Sequence, residues 1–340
     1  MNNFGRIFTV QIFGASHAAV VGVTINGVPP GIILTEEDFM VDLARRKGLS
    51  QRGTTPRKEE DMPIFQSGIF NQRTTGAPLQ IIFENKNIRS KDYSNILAIP
   101  RPSHADWVAH QKYQGFEDYR GGGAFSARLT AGIVAAGVVA KKTIQEYYQV
   151  PLQITTSFKS VGGKPTEEEG IAHAIQLKDS VGAILHCSVT NVPIGLGEPF
   201  WDSVESVIAH AIFAIPAVKG IEFGAGFEAS NMTGTQHNDV IICSDGTTAT
   251  NNAGGVVGGL TNGNDINFNI AFKPTASTPK EQTSFNFETN QMESFSIKGR
   301  HDLCVALRAP VIVEAMTYIC LLDLYMVDNA IQRHSTKGRI

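Results

Sequence analysis

Apolar and polar positions alternate with a period of two over Phe4 to Phe13, Ile64 to Phe70 and Leu79 to Phe83, with turn residues between, which predicts a β-rich opening. Between the first two runs, Thr35-Glu36-Glu37-Asp38 offers a capping residue with an acid three places on. Phe39, Met40, Leu43 and Ala44 then follow at helical spacing, predicting a helix over 36–47 that ends at Gly48. A second helix is expected after Ser126, running through Leu129, Ile133, Ala136, Val139 and Ala140 towards Tyr147. Small residues on almost every face mark it as buried and closely packed. Strands near 151–157, 181–191 and 220–228 alternate with helical patterns at 166–177 and 201–214, the latter closed by Pro216. Further strands are expected near 238–244, 265–272 and 294–299, before a last helix from Pro310 to Val327. Helices and strands interleave without βαβ regularity, and no GxGxxG follows the first strand, so the expected class is α+β. No linker divides the 340 residues, which are read as a single domain, 1–340, with room for two internally similar halves.

Composition narrows the function classes. With 42% hydrophobic and 18% charged residues and a mean hydropathy of −0.06, the chain can bury a real core. A formal net charge of −3 leaves no global basic field for nucleic acid or anionic lipid, so neither is an expected partner and any anion site must be local. The small, apolar run Leu129 to Ala140 is shorter than the ~18 residues a spanning helix needs, so no transmembrane segment is expected. The N-terminus has neither a basic region nor an apolar core of signal type, which predicts a cytoplasmic protein. Cys187, Cys243, Cys304 and Cys320 show no CxxC pair and are read as reduced core residues. The 33 glycines cluster at Gly121-Gly122-Gly123, Gly220 to Gly226 and Gly254 to Gly263, which are either ligand loops or ordinary turns.

Candidate chemistry follows from three places. Arg45-Arg46-Lys47 through Arg52 to Arg57-Lys58 concentrates cations at a predicted helix C-terminus. That is either a solvated end favoured by the macrodipole or a clamp for an anionic small molecule. Arg101-Pro102-Ser103-His104-Ala105-Asp106 sets a histidine beside a carboxylate, readable as an oriented acid-base residue or as a structural one. Asp118-Tyr119-Arg120 leads into the triple glycine and then Ser126-Ala127-Arg128, where a glycine loop feeding a helix presents N–H groups to an anion. The lack of GxxxxGK[ST] excludes a Walker loop. His17, after Gly14-Ala15-Ser16, and Arg300-His301-Asp302 lie where strands give way to loops. His110, His173, His186, His210, His237 and His334 have no such company and are assigned to packing or surface. Histidine and cysteine spacing offers no zinc site, and no GxSxG elbow is present.

Taken together, Gly14-Ala15-Ser16-His17, Arg45-Arg46 to Arg57, Arg101 to Asp106, Asp118 to Gly123, Asn252-Ala253-Gly254-Gly255, Gly258 to Gly263, Lys273 to Ser277, Gly299-Arg300-His301-Asp302 and Val313 to Met316 resemble the chorismate synthase family, in order and over essentially the whole chain. The resemblance implies anti-1,4-elimination of phosphate from 5-enolpyruvylshikimate 3-phosphate to give chorismate, with reduced FMN as an unconsumed cofactor. It further implies a β-α-β sandwich assembled as a homotetramer. By position, His17 would serve the departing phosphate as general acid, His104 would protonate or hydrogen-bond the flavin near N1, and Asp302 would assist proton movement at N5. Arg46, Arg52 and Arg128 would hold substrate, although family descriptions sometimes assign the first two to NADPH, the candidate reductant of the flavin. Ser126, Ala217, Gly258, Lys273, Pro274, Thr275, Ala276, Ser277 and Arg300 match flavin-contacting positions. The chain departs from the family at Ala15, where many members have Glu, at Ala124-Phe125, where they have Arg and Ser, at Pro216, where they have Asn, and at Leu303 and Leu307, where they have Pro. These departures keep open a ligand-binding relative without turnover and, further off, an NADPH-linked flavin reductase.

Overall fold

The computed structural model describes residues 2–47, 60–86, 97–297 and 302–331. The N-terminal half contributes β1 (Asn3–Phe4), β2 (Thr9–Gly14), β3 (Val20–Asn26), α1 (Glu37–Lys47), β4 (Ile64–Ser67), the short pair β5 (Ile69–Phe70) and β6 (Arg73–Thr74), and β7 (Leu79–Glu84). Then come α2 (Asp106–Tyr113), α3 (Thr130–Lys142), β8 (Gln153–Val161), α4 (Glu167–Leu177), β9 (Ala183–Thr190), α5 (Val204–Ile212), β10 (Val218–Phe223) and α6 (Gly234–His237). The chain ends with β11 (Val256–Val257), β12 (Leu260–Thr261), β13 (Ile266–Phe272), β14 (Gln282–Asn286), β15 (Gln291–Phe295) and α7 (Ala309–Ala330).

Two antiparallel sheets, one of five strands in the order β1-β2-β3-β7-β4 and one of four in the order β10-β13-β9-β8, enclose a helical layer. Helix α3 packs on β3 and β7 and against α7, which in turn covers β8 and β9. The α+β class and its sandwich therefore hold. Every residue of α3 from Thr130 to Ala140 is buried, because the helix is covered on both sides. Gly137 lets it approach α7: a Cβ there would stand 2.3 Å from Cβ of Ala315. The buried apolar residues from Phe8 to Leu324 form one cluster.

Several elements differ from the alternation pattern. The first strand is split, because the backbone N–H groups of Arg6, Ile7 and Phe8 all donate to the buried carboxylate of Asp323 on α7, at 2.8 to 3.0 Å. Gly68, with φ of +83°, breaks the run over 64–70. The helix expected to reach Tyr147 ends at Lys142 and continues as one wider turn over Thr143–Tyr147. The strand expected at 220–228 stops at Phe223 and gives way to a short turn, Gly226–Asn231. No strand covers 238–244. Only Ile241 bridges, to Thr248, while Val240, Ile241 and Ile242 are exposed and the Asp239 carboxylate gathers Thr250, Asn252 and Ala253 into a loop. The strand predicted at 294–299 is β15, ending at Phe295, and residues 298–299 lie outside the described residues.

Cys243 is exposed, which corrects its assignment to the core. The other three cysteines are buried, and burial pushes the Cys304 thiol up to about 11, so it stays protonated at neutral pH. The segment Val305–Ala330, not 129–140, is long and apolar enough to cross a membrane. It is mostly buried between the sheets and serves as a core helix.

Candidate functional site

Residues 120–125 form an irregular turn in which Gly121, Gly122 and Gly123 take φ values of +60°, +83° and +53°. The amide of Ser16 donates to the Gly123 carbonyl at 3.1 Å, fastening the end of β2 to this turn. A Cβ on Gly121 would lie 2.3 Å from Cε1 of His17, and one on Gly122 would lie 3.3 Å from Cε1 of His104. The triple glycine is thus wedged between the two histidines, and the side chains it lacks are what let them approach.

His17 is buried, with Nδ1 3.1 Å from Oγ of Ser16. That hydroxyl donates its one proton to the Arg120 carbonyl at 3.0 Å, so Nδ1 is the donor to Ser16 and Nε2 is the nitrogen whose protonation can change. His104, just before α2, has Nδ1 2.6 Å from Oδ1 of Asp106. The Asp106 carboxyl lies well below the usual carboxylate range: burial alone would raise it, and the hydrogen bonds from Arg101 and His104 outweigh that.

Arg101 carries the arrangement outward. Its Nη1 donates to Oγ of Ser277 at 3.3 Å, and Nζ of Lys273 donates to the Ser103 carbonyl. Lys273 also donates its amide to the carbonyl of Ala217 at 2.9 Å, and Ser180 donates to the Thr275 carbonyl at 2.7 Å. Ala217 and Lys273–Ser277 therefore lie together against the His104 segment. Burial, together with the nearby charge of Lys219, pulls the Lys273 ammonium below its ordinary range. Oγ1 of Thr275 is buried and has no hydrogen-bond partner among the described residues.

Beyond Ser126 lies a cationic cavity of about 170 Å³, where Arg46, Lys47, Arg128 and Arg308 face two carboxylates, Asp61 and Asp302. Arg46 comes from the last turn of α1 and Arg128 from the turn that opens α3, and both are buried. Nη2 of Arg46 lies 2.5 Å from Oδ2 of Asp61, and Nη1 of Arg128 closes on Oδ1. Arg128 also donates to Oδ1 of Asn85 at 2.9 Å and to the Glu84 carbonyl at 3.1 Å. The Asp61 carboxyl is held below its ordinary range, burial being outweighed by the two guanidiniums. Burial lowers the Arg46 pKa, Asp61 partly offsets this, and Arg128 and Arg308 reinforce it. Nε of Arg46 is buried without a hydrogen-bond partner among the described residues. Asp302 pairs with Arg308 at 3.0 Å. Such a cavity takes an anion that can match buried guanidinium forks.

The basic segment thus divides. Arg45 is tied to Glu314 by two hydrogen bonds of 2.6 and 2.8 Å and serves the α1–α7 contact, while its neighbour Arg46 turns into the cavity. Arg52, Arg300 and His301 lie outside the described residues. Gly258 sits in the β11–β12 turn, held to the start of α5 by the Val204 amide on Gly259, whereas Pro216 at the cavity follows the other end of α5. One chain therefore does not bring Gly258 to the cavity. Arg120 is engaged by Asp118 at 2.7 and 2.8 Å. The glycine clusters at 220–226 and 254–263 meet closely, a Cβ on Gly224 falling 2.5 Å from the Gly254 amide nitrogen, and Gly224 and Ala225 donate to the carbonyls of Asn267 and Asn252 on either side of the second cluster.

A second cavity, of about 350 Å³, opens on the other side of the triple glycine. Ala15, Ala109 and Ala124 leave it room, and Tyr113, Phe116 and Phe125 supply aromatic walls. Its space at positions 15 and 124 follows from two of this chain's departures from the family pattern.

Sequence reasoning did not single out Asp61, Asn85 or Arg308. Asp61 was legible only as an acid closely following a basic run, and nothing local marked Asn85 or Arg308.

The family model described as chorismate synthase matches residues 8–326. The chain is 57% identical over 333 residues to a chorismate synthase of Chitinophaga pinensis, covering 98% of this chain and 99% of that one. It is 40% identical to a chorismate synthase of Dehalococcoides mccartyi, over 98% of each chain. A solved structure described as the crystal structure of chorismate synthase superposes with a TM-score of 0.73 at 26% identity, over 95% of this chain and 93% of that one.

Proposed function

The chain belongs to the chorismate synthase family, and from that membership we propose that His17, His104, Asp302, Arg46 and Arg128 carry the family's reaction here, with Arg52 completing the substrate contacts. The activity is the phosphate-eliminating lyase step that converts 5-enolpyruvylshikimate 3-phosphate to chorismate, in aromatic amino acid biosynthesis. The observation that carries the residue assignment is the placement of two histidines on either side of one glycine turn, with buried guanidiniums one turn further on.

Arg46 and Arg128 bind the anionic groups of the substrate and neutralise charge as the C–O bond to phosphate breaks and the bonding pair leaves with phosphate. A dry, preorganised site makes such neutralisation strong. His17, with its Nδ1 proton committed to Ser16, gives a proton from Nε2 to the leaving phosphate. Asp302, oriented by Arg308, helps carry away the proton that the ring loses, so that the two departures balance.

The residues present fit a phosphorylated planar cofactor. Thr275 offers a buried hydroxyl with no partner among the described residues, and Lys273 offers a positive charge on the same segment. Reduced FMN, when bound, supplies transient electron density to the substrate ring, and NADPH is the candidate source of its reduction. Ser126, Ala217, Lys273 to Ser277 and Arg300 would hold the flavin, with His104 at its N1 edge. Gly258, remote from the cavity within one chain, fits this set through a second subunit, in keeping with a homotetramer. We read the chain as a single domain, 1–340, working in the cytoplasm.

The test is incubation with 5-enolpyruvylshikimate 3-phosphate and chemically reduced FMN. Chorismate and phosphate should form in equal amounts, and His17→Ala and His104→Ala should each slow turnover by about 10² to 10⁴, the usual contribution of an acid-base group, with the fold intact. Ligand bound without conversion would identify a relative that no longer turns over. Oxidation of NADPH alone would identify a flavin reductase.

A further inference from the structure

Behind His104 stands a group with no role so far in the reaction. The Asp106 side chain is almost fully buried and engaged at both oxygens: Oδ2 accepts from the Arg101 amide at 3.1 Å and Nε at 2.7 Å, while Oδ1 accepts from Arg101 Nη2 at 2.8 Å and lies 2.6 Å from His104 Nδ1. Arg101 is as deeply buried, and its remaining arm reaches Ser277 in the segment read as flavin-binding. We propose that Asp106, locked in place by Arg101, is a positioning residue that fixes His104 in the Nδ1–H tautomer, so that Nε2 alone faces the reaction. This rests on the reading of His104 as a group that meets the cofactor, although the tautomer itself does not.

The geometry decides between two ways of placing the proton. Nη2 of Arg101 also lies 3.1 Å from Nδ1 of His104, and a donor pointing there would need Nδ1 bare. That Nη2 already has a carboxylate oxygen at 2.8 Å, and a bare Nδ1 only 2.6 Å from the same oxygen would set its lone pair against a negative charge, a repulsion that a proton on Nδ1 removes. The carboxylate stays charged throughout the neutral range, since its pKa is held far below the ordinary value. The Gly122 turn lies against the Cε1–Nε2 edge of the ring, where a Cβ would stand 3.3 Å from Cε1, so the ring is restrained from the side opposite Asp106. One guanidinium holds Asp106 and Ser277 at once, so the orientation of His104 and the order of the 273–277 segment belong to a single network.

Asp106→Asn tests this by reversing one bond. Three Arg101 donors converge on the two oxygens, and the amide satisfies two of them by keeping its oxygen at the Oδ2 position. Its NH₂ then faces Nδ1, which must become an acceptor, and the ring changes to the Nε2–H form. The experiment is ¹⁵N NMR of histidine-labelled protein without substrate or flavin, well above the ordinary imidazole range, with the His104 signals assigned by their loss in His104→Gln. Wild type should show a protonated Nδ1 and an unprotonated Nε2, and Asp106→Asn should show the reverse. In the elimination assay Asp106→Asn should lower kcat by about 10² or more with KM little changed, and Asp106→Glu should recover part of it. An Nε2–H signal in wild type overturns the proposal without any variant. So does an unchanged tautomer in a folded Asp106→Asn, or a loss confined to KM. If no chorismate forms in wild type, the function fails, while the tautomer result still judges the network.

Discussion

Arg46 and Arg128 grip opposite oxygens of one buried carboxylate, with Arg46 Nη2 2.5 Å from Oδ2 of Asp61 and Arg128 Nη1 on Oδ1. Two buried positive charges thus share one carboxylate. The shared carboxylate joins the end of α1 to the start of α3, so the same contact that shapes the anion cavity also fastens two core helices.

Asp61→Asn removes the carboxylate that both guanidiniums grip. Breaking a buried pair in this way costs about 3–5 kcal/mol, because an uncompensated charge stays buried. Added inorganic phosphate should restore part of the loss by binding the folded state alone. Urea unfolding with and without phosphate checks both effects. A variant as stable as wild type, with no response to phosphate, would show that the cavity does not hold its cations close enough to matter.

The pH dependence follows from the same residue. Asp61 and Asp106 both have folded-state pKa values below the ordinary carboxylate value. The unfolded chain therefore binds protons first as pH falls, and stability should be fully present above about pH 5 and be lost as pH drops through the unfolded and then the folded values. The urea midpoint should accordingly be flat from neutral pH to about 5 with respect to these groups and then fall. In Asp61→Asn the acid-side fall should be shallower, and a slope equal to that of wild type would mean that Asp61 is not among the groups that set it.

Gly121→Ala places a Cβ 2.3 Å from the His17 ring, at a φ of +60°. Gly31→Ala pays for a similar backbone, φ of +94°, with nothing within 4 Å. Both should lose stability by about 1–2 kcal/mol from the positive φ. Only Gly121→Ala should also lose kcat, by about 10², since a reacting group displaced by about 1 Å forfeits that much. Equal turnover in the two variants would remove His17 from the chemistry.

How far the sequence could be read depended on whether a signal was local. Helix α1 and strands β7, β9 and β13 follow from periodicity, because each buries one face or alternates cleanly. Helix α2 went unread: only Ala109 of its eight residues is buried, so no apolar stripe marks it. The apolar run Val240-Ile241-Ile242 has strand composition but pairs only with 247–249 across a turn, through the bridge Ile241 to Thr248, and joins neither main sheet. In the site, the glycine turn and both histidines were legible as motifs. Asp61 was not, since its meaning depends on two arginines that only tertiary structure brings to it. Nor could composition tell Arg45, paired on the surface of α7, from Arg46, buried one residue later.

Ala124 is the departure with the largest structural consequence. Of the arginines that flank the loop in sequence, Arg120 is engaged by Asp118, and Arg128 lines the cationic cavity with Asp61 and Asn85. An anion meeting this loop would be held by backbone N–H groups and few fixed charges. Such a site gains more from a charged neighbour, so flavin affinity should depend strongly on bound substrate, and by linkage substrate affinity should depend on flavin by the same factor. Ala124→Arg adds a guanidinium where the cavity of about 350 Å³ has room, so the variant should fold as wild type does. FMN should bind it modestly more tightly, the substrate-dependent factor should shrink, and turnover should persist. Phe125 is half exposed beside Tyr113, with ring centroids 6.5 Å apart, and the pair Ala124→Arg with Phe125→Ser controls for a ring that blocks the new side chain. Titrating FMN with and without substrate decides the matter. If the factor is the same in all three proteins, the loop's charge does not govern flavin binding. If wild type shows no elimination and the double variant gains it, this chain binds the family's ligands without performing its reaction.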